Sequence, residues 1–267
     1  MDKISQKVKN LQGEITIPPD KSISHRTAMF AALTKGVVNI KNYSKGADCH
    51  STLNIIKNLG CDVIFHNETD ITINAKNALT APNCDLDCGN SGTTMRMMSG
   101  ILAGQNFNST LFGDQSLSKR PMKRIIQPLT LMGAEFKHND FKAPLTVIGS
   151  KLSPITYNSP LASAQVKSAI LLAGLFTDGI TTVNEPFQSR NHTELMLKYL
   201  EADITEHSKT STSIRKSELV PKDMEVCGDI SSAAFFMVAA AIVPNSEITI
   251  KNVGINETRS GIIDVFK

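Results

Sequence analysis

Residues 21–40 read KSISHRTAMFAALTKGVVNI, and this stretch carries the pattern on which the rest of the chain is built. A polar loop of basic and hydroxyl side chains leads into an apolar helix, and Gly36 precedes a short β-branched strand. The same order of loop, helix and strand returns in residues 89–112, 162–183 and 228–250. We therefore predict a repeated unit of nearly 70 residues, because steps of 67, 72 and 68 residues separate the anchoring serines Ser24, Ser91, Ser163 and Ser231.

A second helix follows in each of the first three units and ends in a similar way. Gly60 and Gly133 mark this end in the first two units, where glycine is expected just beyond a helix, and Glu201 marks it in the third. Each unit is predicted to be a β-α-β-α-β-β module, so the fold class is α/β (α+β). In the fourth unit we expect the second helix to begin at Glu257 and the chain to stop within it at Lys267.

Composition and charge favour an ordinary globular protein. The chain has 41% hydrophobic and 20% charged residues and a net charge of +3, and it has no tryptophan, so nucleic acid is not an expected partner. The five cysteines are scattered without metal-ligand spacing, which favours free thiols over a zinc site. We find no apolar signal region and no apolar run of membrane-spanning length, so a cytoplasmic location without membrane contact is the expectation.

Polar residues cluster immediately before the predicted helix N-termini. Free backbone N–H groups and the helix dipole favour anions there, so several such ends brought together would form an anion-binding cleft. Lys21 and Arg26 stand five residues apart with Ser22 and Ser24 between them, a set that can present cations and donors to one phosphate or carboxylate. A solvated helix start is the alternative explanation, and a Walker P-loop does not fit the spacing.

Two further loops have similar chemistry in the second unit. Residues 89–96 read GNSGTTMR, in which glycines allow close backbone approach to a ligand and Thr93 is predicted to cap the helix. Pro121 suits the first turn of a helix predicted at 122–132, which places Arg120 at its mouth. An ordinary capped turn and a surface charge run are the respective alternatives.

The third unit supplies the last two candidate clusters. Ser163-Ala164-Gln165 opens a helix with a hydroxyl and an amide. These groups either bind the polar edge of a ligand or serve only to cap the helix N-terminus. In residues 189–194, SRNHTE, Asn191 and Glu194 have the spacing of a capping box, and His192 is read as a helix-start residue rather than a base. Together the residues predict a repeat-built protein with a cationic cleft for a small anionic metabolite, without defining the reaction.

Six motifs resemble those of the enolpyruvyl transferase family, in particular its shikimate-pathway branch, and they occur in family order along nearly the whole chain. One motif would be weak evidence, whereas six in order make coincidence implausible. The Ser-Ala-Gln form resembles the bacterial subgroup typified by less glyphosate-sensitive enzymes. The six are DKSISHR (20–26), GNSGTTMR (89–96), KRPM (119–122), SAQ (163–165), SRNHTE (189–194) and GDISSA (228–233).

The resemblance implies an enzyme that transfers the carboxyvinyl group of phosphoenolpyruvate to the 5-hydroxyl of shikimate 3-phosphate, in aromatic amino-acid biosynthesis. It implies no cofactor, no metal and a monomer when complete. The substrate-binding residues carried over by position are Lys21, Ser22, Arg26, Gly92, Arg120, Ser163, Ala164, Gln165 and Arg190. Lys21 would contact both substrates and assist proton transfer. Gly92 and Arg120 would line the phosphoenolpyruvate pocket, Ser22 and Arg26 would bind shikimate 3-phosphate, Ser163 and Arg190 would hold its phosphate, and Gln165 would bridge the substrates.

The family fold implies two domains of three modules each, with two chain crossings between them. By this resemblance residues 1–19 pack with the second domain, residues 20–226 form the first domain, and residues 227–267 begin the second. The family's remaining catalytic groups would lie beyond Lys267, so we expect this chain to hold the first-domain half of the site and to have little turnover. Pro19 departs from the glycine common at that position and is expected to stiffen or shift the entrance to the loop.

Two other functions compete with this reading. A transferase acting on a UDP-aminosugar typically has asparagine after the first-motif lysine and a reactive cysteine in the loop near the second-unit strand. Here Ser22 follows Lys21, and residues 113–120 contain no cysteine. The other alternative is a non-catalytic fragment that binds a phosphorylated metabolite.

Overall fold

The computed structural model describes residues 8–267, and its helices and strands follow the order of the sequence repeat. The first strand is β1 (Gln12–Thr16). The first unit holds α1 (Lys21–Ala31), β2 (Gly36–Lys41), α2 (Ala47–Asn58), β3 (Asp62–Phe65) and β4 (Ile71–Ala75). The second holds β5 (Leu86–Asp87), α3 (Gly92–Ala103), β6 (Ser109–Phe112), a 3-10 turn (Leu117–Lys119), α4 (Lys123–Leu131), β7 (Glu135–Asn139) and β8 (Lys142–Ile148). The third holds β9 (Thr156–Asn158), α5 (Ala164–Gly174), β10 (Ile180–Asn184), α6 (His192–Tyr199), β11 (Ile204–Ser208) and β12 (Ser211–Arg215). The remaining elements are β13 (Met224–Glu225), α7 (Ile230–Ile242), β14 (Glu247–Lys251) and α8 (Gly261–Val265).

Three four-stranded sheets in the described part of the chain share one topology. Their strand orders are β13-β2-β4-β3, β5-β6-β8-β7 and β9-β10-β12-β11. In each sheet the first two strands are parallel and the other neighbours are antiparallel. This confirms the predicted α/β class and module. The first unit differs in one respect, because its leading strand β13 comes from the chain after the third unit, where Met224 pairs with Ile40.

The passages of chain that enter and leave the three units lie side by side. The Asp20 N–H donates to the Cys227 carbonyl at 2.8 Å, and the Asp229 N–H donates to the Pro18 carbonyl at 2.9 Å. Pro19 lies between these bonds and forms an isolated bridge with Gly228. Backbone pairing therefore continues on both sides of Pro19 although proline itself has no N–H to donate.

Arg259 binds both of these passages. Its guanidinium forms an ion pair with Asp20 and donates from Nη2 to Asp229 Oδ1 at 3.0 Å. All three side chains are largely buried, so the pairs are shielded from solvent screening. Asp20 also caps α1 by accepting from the Ile23 N–H at 2.9 Å, and Asp229 caps α7 by accepting from the Ser231 N–H at 2.9 Å.

The core is formed where the first helices of the units, α1, α3 and α5, pack together. Nearly every residue of α3 and α5 is buried, which the apolar sequence of both helices predicts. The two helices approach most closely at Gly100, where a β-carbon would lie 2.2 Å from the Ala169 carbonyl oxygen. A side chain at this position would force the helices apart, so Gly100 sets their separation.

The part of the chain after the third unit is less enclosed. Strands β1 and β14 pair in parallel from Gln12 with Glu247 to Thr16 with Lys251. Helix α7 is almost wholly apolar in sequence, yet Phe235 and Ile242 are 79% and 74% exposed. The last helix begins at Gly261, four residues later than predicted. The division into two domains stays a prediction, and residues 1–7 of its N-terminal segment lie outside the described residues.

Two simpler expectations can be compared directly. The five cysteines, all within the described residues, are free thiols as predicted. No helix within residues 8–267 combines the length and apolarity that a membrane crossing requires.

The second helices of the three units end in one hydrogen-bonding arrangement. In the first unit the Gly60 N–H donates to the Lys57 carbonyl, and the next N–H donates back to the Ile56 carbonyl. The same pair of bonds closes the other two helices, with the first donor at Gly133 and Glu201. The residue after the helix has positive φ in all three units: 99° at Gly60, 96° at Gly133 and 64° at Glu201. The predicted stops are thus confirmed, and Glu201 occupies a position that favours glycine.

We expect Glu201→Gly to raise the free energy of unfolding by about 1 kcal/mol, because glycine adopts positive φ without the steric penalty of a β-carbon. Glu201→Ala is the matched control, since it also removes the exposed ion pair with Lys222 but keeps the β-carbon. Urea denaturation of the three proteins measures the effect. An alanine variant as stable as the glycine variant would contradict the backbone explanation.

Candidate active site

Polar side chains at the starts of α1, α3 and α5 and in the loop before α6 form contacts between units. Gln165, near the start of α5, donates from Nε2 to Thr93 Oγ1 at 2.9 Å and accepts from Arg96 Nη1 at 2.8 Å. Arg190, in the loop before α6, donates from Nη1 to Ser22 Oγ at 3.2 Å. Side chains from all three units are therefore in contact, and two of the predicted site residues, Ser22 and Arg190, touch each other directly.

Lys21 opens α1 at the mouth of this region. Its ammonium pairs with Asp48, in the first turn of α2, and its side chain is 53% exposed. An exposed ammonium on a flexible stem can reach a ligand while a carboxylate holds it near the cleft. This position is compatible with the role in proton transfer carried over for Lys21.

The second unit places two guanidinium groups around Gly92. A β-carbon on Gly92 would lie 2.8 Å from Arg96 Nη1 and 3.4 Å from Arg120 Nη1. Arg120 is also held by Asn90, whose Oδ1 accepts from Nη2 at 2.6 Å. Helix α3 is capped by Ser91, which accepts from the Thr94 N–H at 3.1 Å, so the prediction of Thr93 as the cap was wrong. The absence of a side chain at Gly92 opens the N-terminus of α3 to both cations.

Arg96 was missed as a candidate although it lies within the second motif. Burial lowers the pKa of its guanidinium, and the neighbouring Arg120 and Arg124 lower it further. Its side-chain partner is the neutral amide of Gln165 rather than a carboxylate. A partly buried cation without an opposite charge in contact favours an anionic ligand. Its spacing of four residues from Gly92, one helical turn, is the sequence signal that could have indicated it.

The third unit forms a pocket of about 430 Å³ beside this region. Four predicted residues, Ser163, Ala164, Gln165 and Arg190, lie in its lining with Ala162, Gln188 and Ser189. Ser163 is the N-cap residue of α5, but its hydroxyl makes no capping hydrogen bond. The pocket thus combines a hydroxyl, an amide, a helix N-terminus and a guanidinium, which together suit a phosphate group. A larger cavity of about 780 Å³ borders α4 and β7 and contains none of the predicted residues.

Arg26 is enclosed by helices α1, α5 and α6 rather than exposed at the loops. It is only 3% exposed, and its guanidinium donates to Thr193 Oγ1 at 2.8 Å, to Ser168 Oγ at 3.0 Å and to the Ser22 carbonyl at 3.0 Å. Burial lowers its pKa to about 10, and the nearby Arg190 adds to this effect. Arg26 thus links α1 to α5 and α6 from behind the loops, and ligand contact by Arg26 stays a prediction.

A buried group of three charges lies behind the third-unit pocket and was missed from the sequence. Lys167 Nζ lies 2.7 Å from Glu185 Oε2 and 2.7 Å from Glu194 Oε1, and the three side chains are at most 4% exposed. The predicted capping box was wrong, because Asn191 makes no side-chain capping bond and Glu194 faces Lys167. Burial raises the pKa of Glu194. Lys167 is the one charged residue of apolar helix α5, and a buried lysine needs such partners.

Buried hydrogen bonds from His25 connect the first helices of two units. His25 Nδ1 lies 2.7 Å from Thr52 Oγ1, which lies 2.8 Å from Thr94 Oγ1, and Thr94 donates to Ser91 Oγ at 2.7 Å. His25 Nε2 has no hydrogen-bond partner among the described residues. Burial lowers the pKa of His25 to about 3, with a further lowering by Lys21. His25 is therefore neutral at physiological pH.

Comparison with known proteins shows the family to which this chain belongs. The EPSP synthase (3-phosphoshikimate 1-carboxyvinyltransferase) family model matches residues 5–267, so the chain belongs to this family. The chain is 50% identical over 268 residues to a 3-phosphoshikimate 1-carboxyvinyltransferase of Geotalea daltonii, with 98% of this chain and 62% of the relative covered. A protein of the same description from Bacillus velezensis is 51% identical, with the same coverage.

Solved structures agree with the sequence relatives. The EPSP synthase of Acinetobacter baumannii matches with a TM-score of 0.90 and 42% identity, covering 96% of this chain and 59% of that one. The chain thus spans about three fifths of the length of the curated relatives it matches. The family match lies with the shikimate-pathway branch, and the alternative of a transferase acting on a UDP-aminosugar gains no support from it.

We expect the buried neutral His25 to make the protein less stable as the pH falls below about 6.5. The unfolded chain takes up a proton there while folded His25, with a pKa of about 3, does not. Between pH 7 and pH 5 this difference amounts to about 2 kcal/mol. The measurement is the free energy of unfolding of wild type and of His25→Gln at several pH values, with wild type losing more on acidification. Parallel pH curves for the two proteins would rule out this role of His25.

Proposed function

We propose that the protein to which this chain belongs transfers the carboxyvinyl group of phosphoenolpyruvate to the 5-hydroxyl of shikimate 3-phosphate and releases phosphate. Family membership and the names of the relatives support this proposal. The observation that carries it is the pair of anion-binding positions joined by Gln165. This residue accepts a hydrogen bond from Arg96 in one position and lines the Ser163–Arg190 pocket that forms the other.

The first position suits phosphoenolpyruvate. Gly92 leaves the N-terminus of α3 open, and Arg96 and Arg120 supply two cations for a carboxylate and a phosphate that each carry negative charge. Guanidinium groups bind such planar or branched oxyanions through paired donors, which fixes orientation as well as charge.

The second position suits the phosphate of shikimate 3-phosphate. Ser163 and Arg190 both line it, and Gln165, which also lines it, bonds to Arg96 of the first position. Ser22 reaches the same ligand through its contact with Arg190. The side chain of Gln165 alone spans the distance between the two anion positions. The two substrates would therefore lie next to each other.

The reaction on this arrangement is an addition followed by an elimination. The 5-hydroxyl group gives up its proton as its oxygen bonds to the enolpyruvyl carbon, and the methylene carbon takes up a proton to become a methyl group, which gives a tetrahedral ketal. Loss of one methyl proton and departure of phosphate then restore the double bond. Lys21, whose ammonium stands at the start of α1 beside Asp48, supplies positive charge and a transferable proton near the phosphate. A small-molecule enzyme of this kind fits a cytoplasmic location, and this too is part of the proposal.

The second position is tested by calorimetric titration of the 267-residue chain with shikimate 3-phosphate. We expect Arg190→Ala to weaken binding about 10- to 100-fold, because it removes a charged donor from the phosphate. Arg215→Ala is the matched control, since Arg215 lies in the same unit with a 58% exposed side chain and outside the pocket. Equal affinity of the Arg190 variant and wild type would refute this assignment.

The first position is tested by Gly92→Ala. The new methyl group meets the mobile end of Arg96, so we expect the free energy of unfolding to change by less than about 1 kcal/mol. Affinity for phosphoenolpyruvate, measured on protein saturated with shikimate 3-phosphate, should fall about tenfold as the guanidinium is displaced. Gly261→Ala is the control, because a β-carbon there meets nothing within 4 Å. Unchanged phosphoenolpyruvate affinity in Gly92→Ala would argue against this pocket.

A further inference from the structure

Glu185 lies directly behind the third-unit pocket and contacts both of its walls. Its Oε1 accepts from the Ser163 N–H at 3.0 Å, on the loop that opens α5. Its Oε2 accepts from Ser189 Oγ at 2.9 Å, on the loop that carries Arg190. Glu185 itself is absent from the pocket lining, and its side chain is 1% exposed.

We propose that Glu185 is a positioning residue that holds the Ser163 loop and the Ser189–Arg190 loop at the separation required by a phosphate group. It acts through these loops and touches no ligand. This inference rests on the proposed function of the pocket. According to this proposal, part of the affinity for the phosphorylated ligand depends on Glu185, which lies outside the six sequence motifs.

The buried charge of Glu185 is balanced from one side. Lys167 Nζ lies 2.7 Å from its Oε2 and 2.7 Å from Glu194 Oε1. An unpaired carboxylate at this depth would be strongly disfavoured, and the ion pair with Lys167 offsets that cost. An ionised carboxylate accepts on both oxygens, and this is the property that two donor groups on opposite walls require.

Glutamine cannot replace Glu185 in this arrangement. Its amide oxygen could still accept from the Ser163 N–H, but its NH₂ group would then face the Lys167 ammonium, another donor, and the Ser189 hydroxyl could meet it only by turning to act as the acceptor. The Ser163 wall would keep its bond, whereas the Ser189 wall would border two opposed donors, the NH₂ group and the Lys167 ammonium. The expected result is a change in the spacing of the loops rather than a loss of the fold.

The second unit has a comparable carboxylate in a comparable place. Asp114 follows β6 as Glu185 follows β10. Asp114 accepts from Asn90 Nδ2 at 2.7 Å and from the Leu117 N–H at 2.8 Å. It thus joins the loop before α3 to the segment that leads to Arg120. The second unit thus also has an acidic residue after this strand that joins two loops, although Asp114 is exposed and Glu185 is buried.

The test compares wild type, Glu185→Gln and Glu185→Asp in the 267-residue chain. The aspartate variant keeps a carboxylate opposite Lys167 but is one methylene shorter. Comparison with the glutamine variant therefore distinguishes the effect of losing the charge from the effect of shortening the side chain. Thr181→Val is the control for simple destabilisation, because Thr181 is buried in the same unit and hydrogen-bonds to Thr177 away from the pocket. The readouts are amide hydrogen exchange at Ser163 by NMR and the affinities for shikimate 3-phosphate and for shikimate.

We expect Glu185→Asp, which is too short to keep both bonds, to exchange the Ser163 amide at least about tenfold faster than wild type, whereas Glu185→Gln keeps the bond to the Ser163 N–H and exchanges near the wild-type rate. We also expect the ratio of the two affinities, phosphorylated over unphosphorylated, to fall about tenfold, whereas Thr181→Val leaves that ratio unchanged. Wild-type exchange at Ser163 in Glu185→Asp, or a wild-type affinity ratio in both Glu185 variants, overturns the inference. If wild type itself shows no preference for the phosphorylated ligand, the proposed function fails, and the exchange rate at Ser163 alone decides whether Glu185 holds the loop.

Discussion

The close packing of α3 against α5 is the constraint on which the site depends. Gly100 lies so near the Ala169 carbonyl that no larger residue fits, and the two helices are buried along almost their whole lengths. Because packed interiors do not deform continuously, this contact fixes the separation of the two helices and so the relative position of their starts. The positions of Gly92 and Gln165 follow from it, and the hydrogen bond between Arg96 and Gln165 joins the two helix starts.

The same architecture concentrates positive charge that the protein itself does not neutralise in full. Arg96 has a neutral amide as its partner, and Arg26 is buried among hydroxyl and carbonyl oxygens. The acidic groups of this region serve other contacts: Asp48 pairs with Lys21, and Glu194 pairs with Lys167. The folded chain thus carries unfavourable cation repulsion at the cleft, and an anionic ligand would relieve it.

Much of the fold was predictable because its signals are local. Helix periodicity, glycine stops and the recurring serines indicated the modules, and the helix ends at Gly60 and Gly133 were placed correctly. Local reasoning failed where two candidates of similar chemistry competed, as with Ser91 and Thr93 for one cap. It also failed where the partner lies far along the chain. Glu194 has capping-box spacing from Asn191, yet Lys167, 27 residues earlier, provides the stronger interaction inside the core. The pairing of strand β13 with β2 could not be predicted for the same reason, because the two strands lie far apart along the chain.

Strand β13 also has a consequence for how the chain folds during synthesis. Residues 36–41 lack their parallel neighbour until residues 224 and 225 have left the ribosome. The second and third units contain all four strands of their sheets within a continuous stretch, so they can form as they emerge. The unit that is translated first is therefore completed last, and its exposed strand edge must stay soluble meanwhile. Closure of that sheet is a long-range step, which makes it the natural candidate for the slow phase of folding.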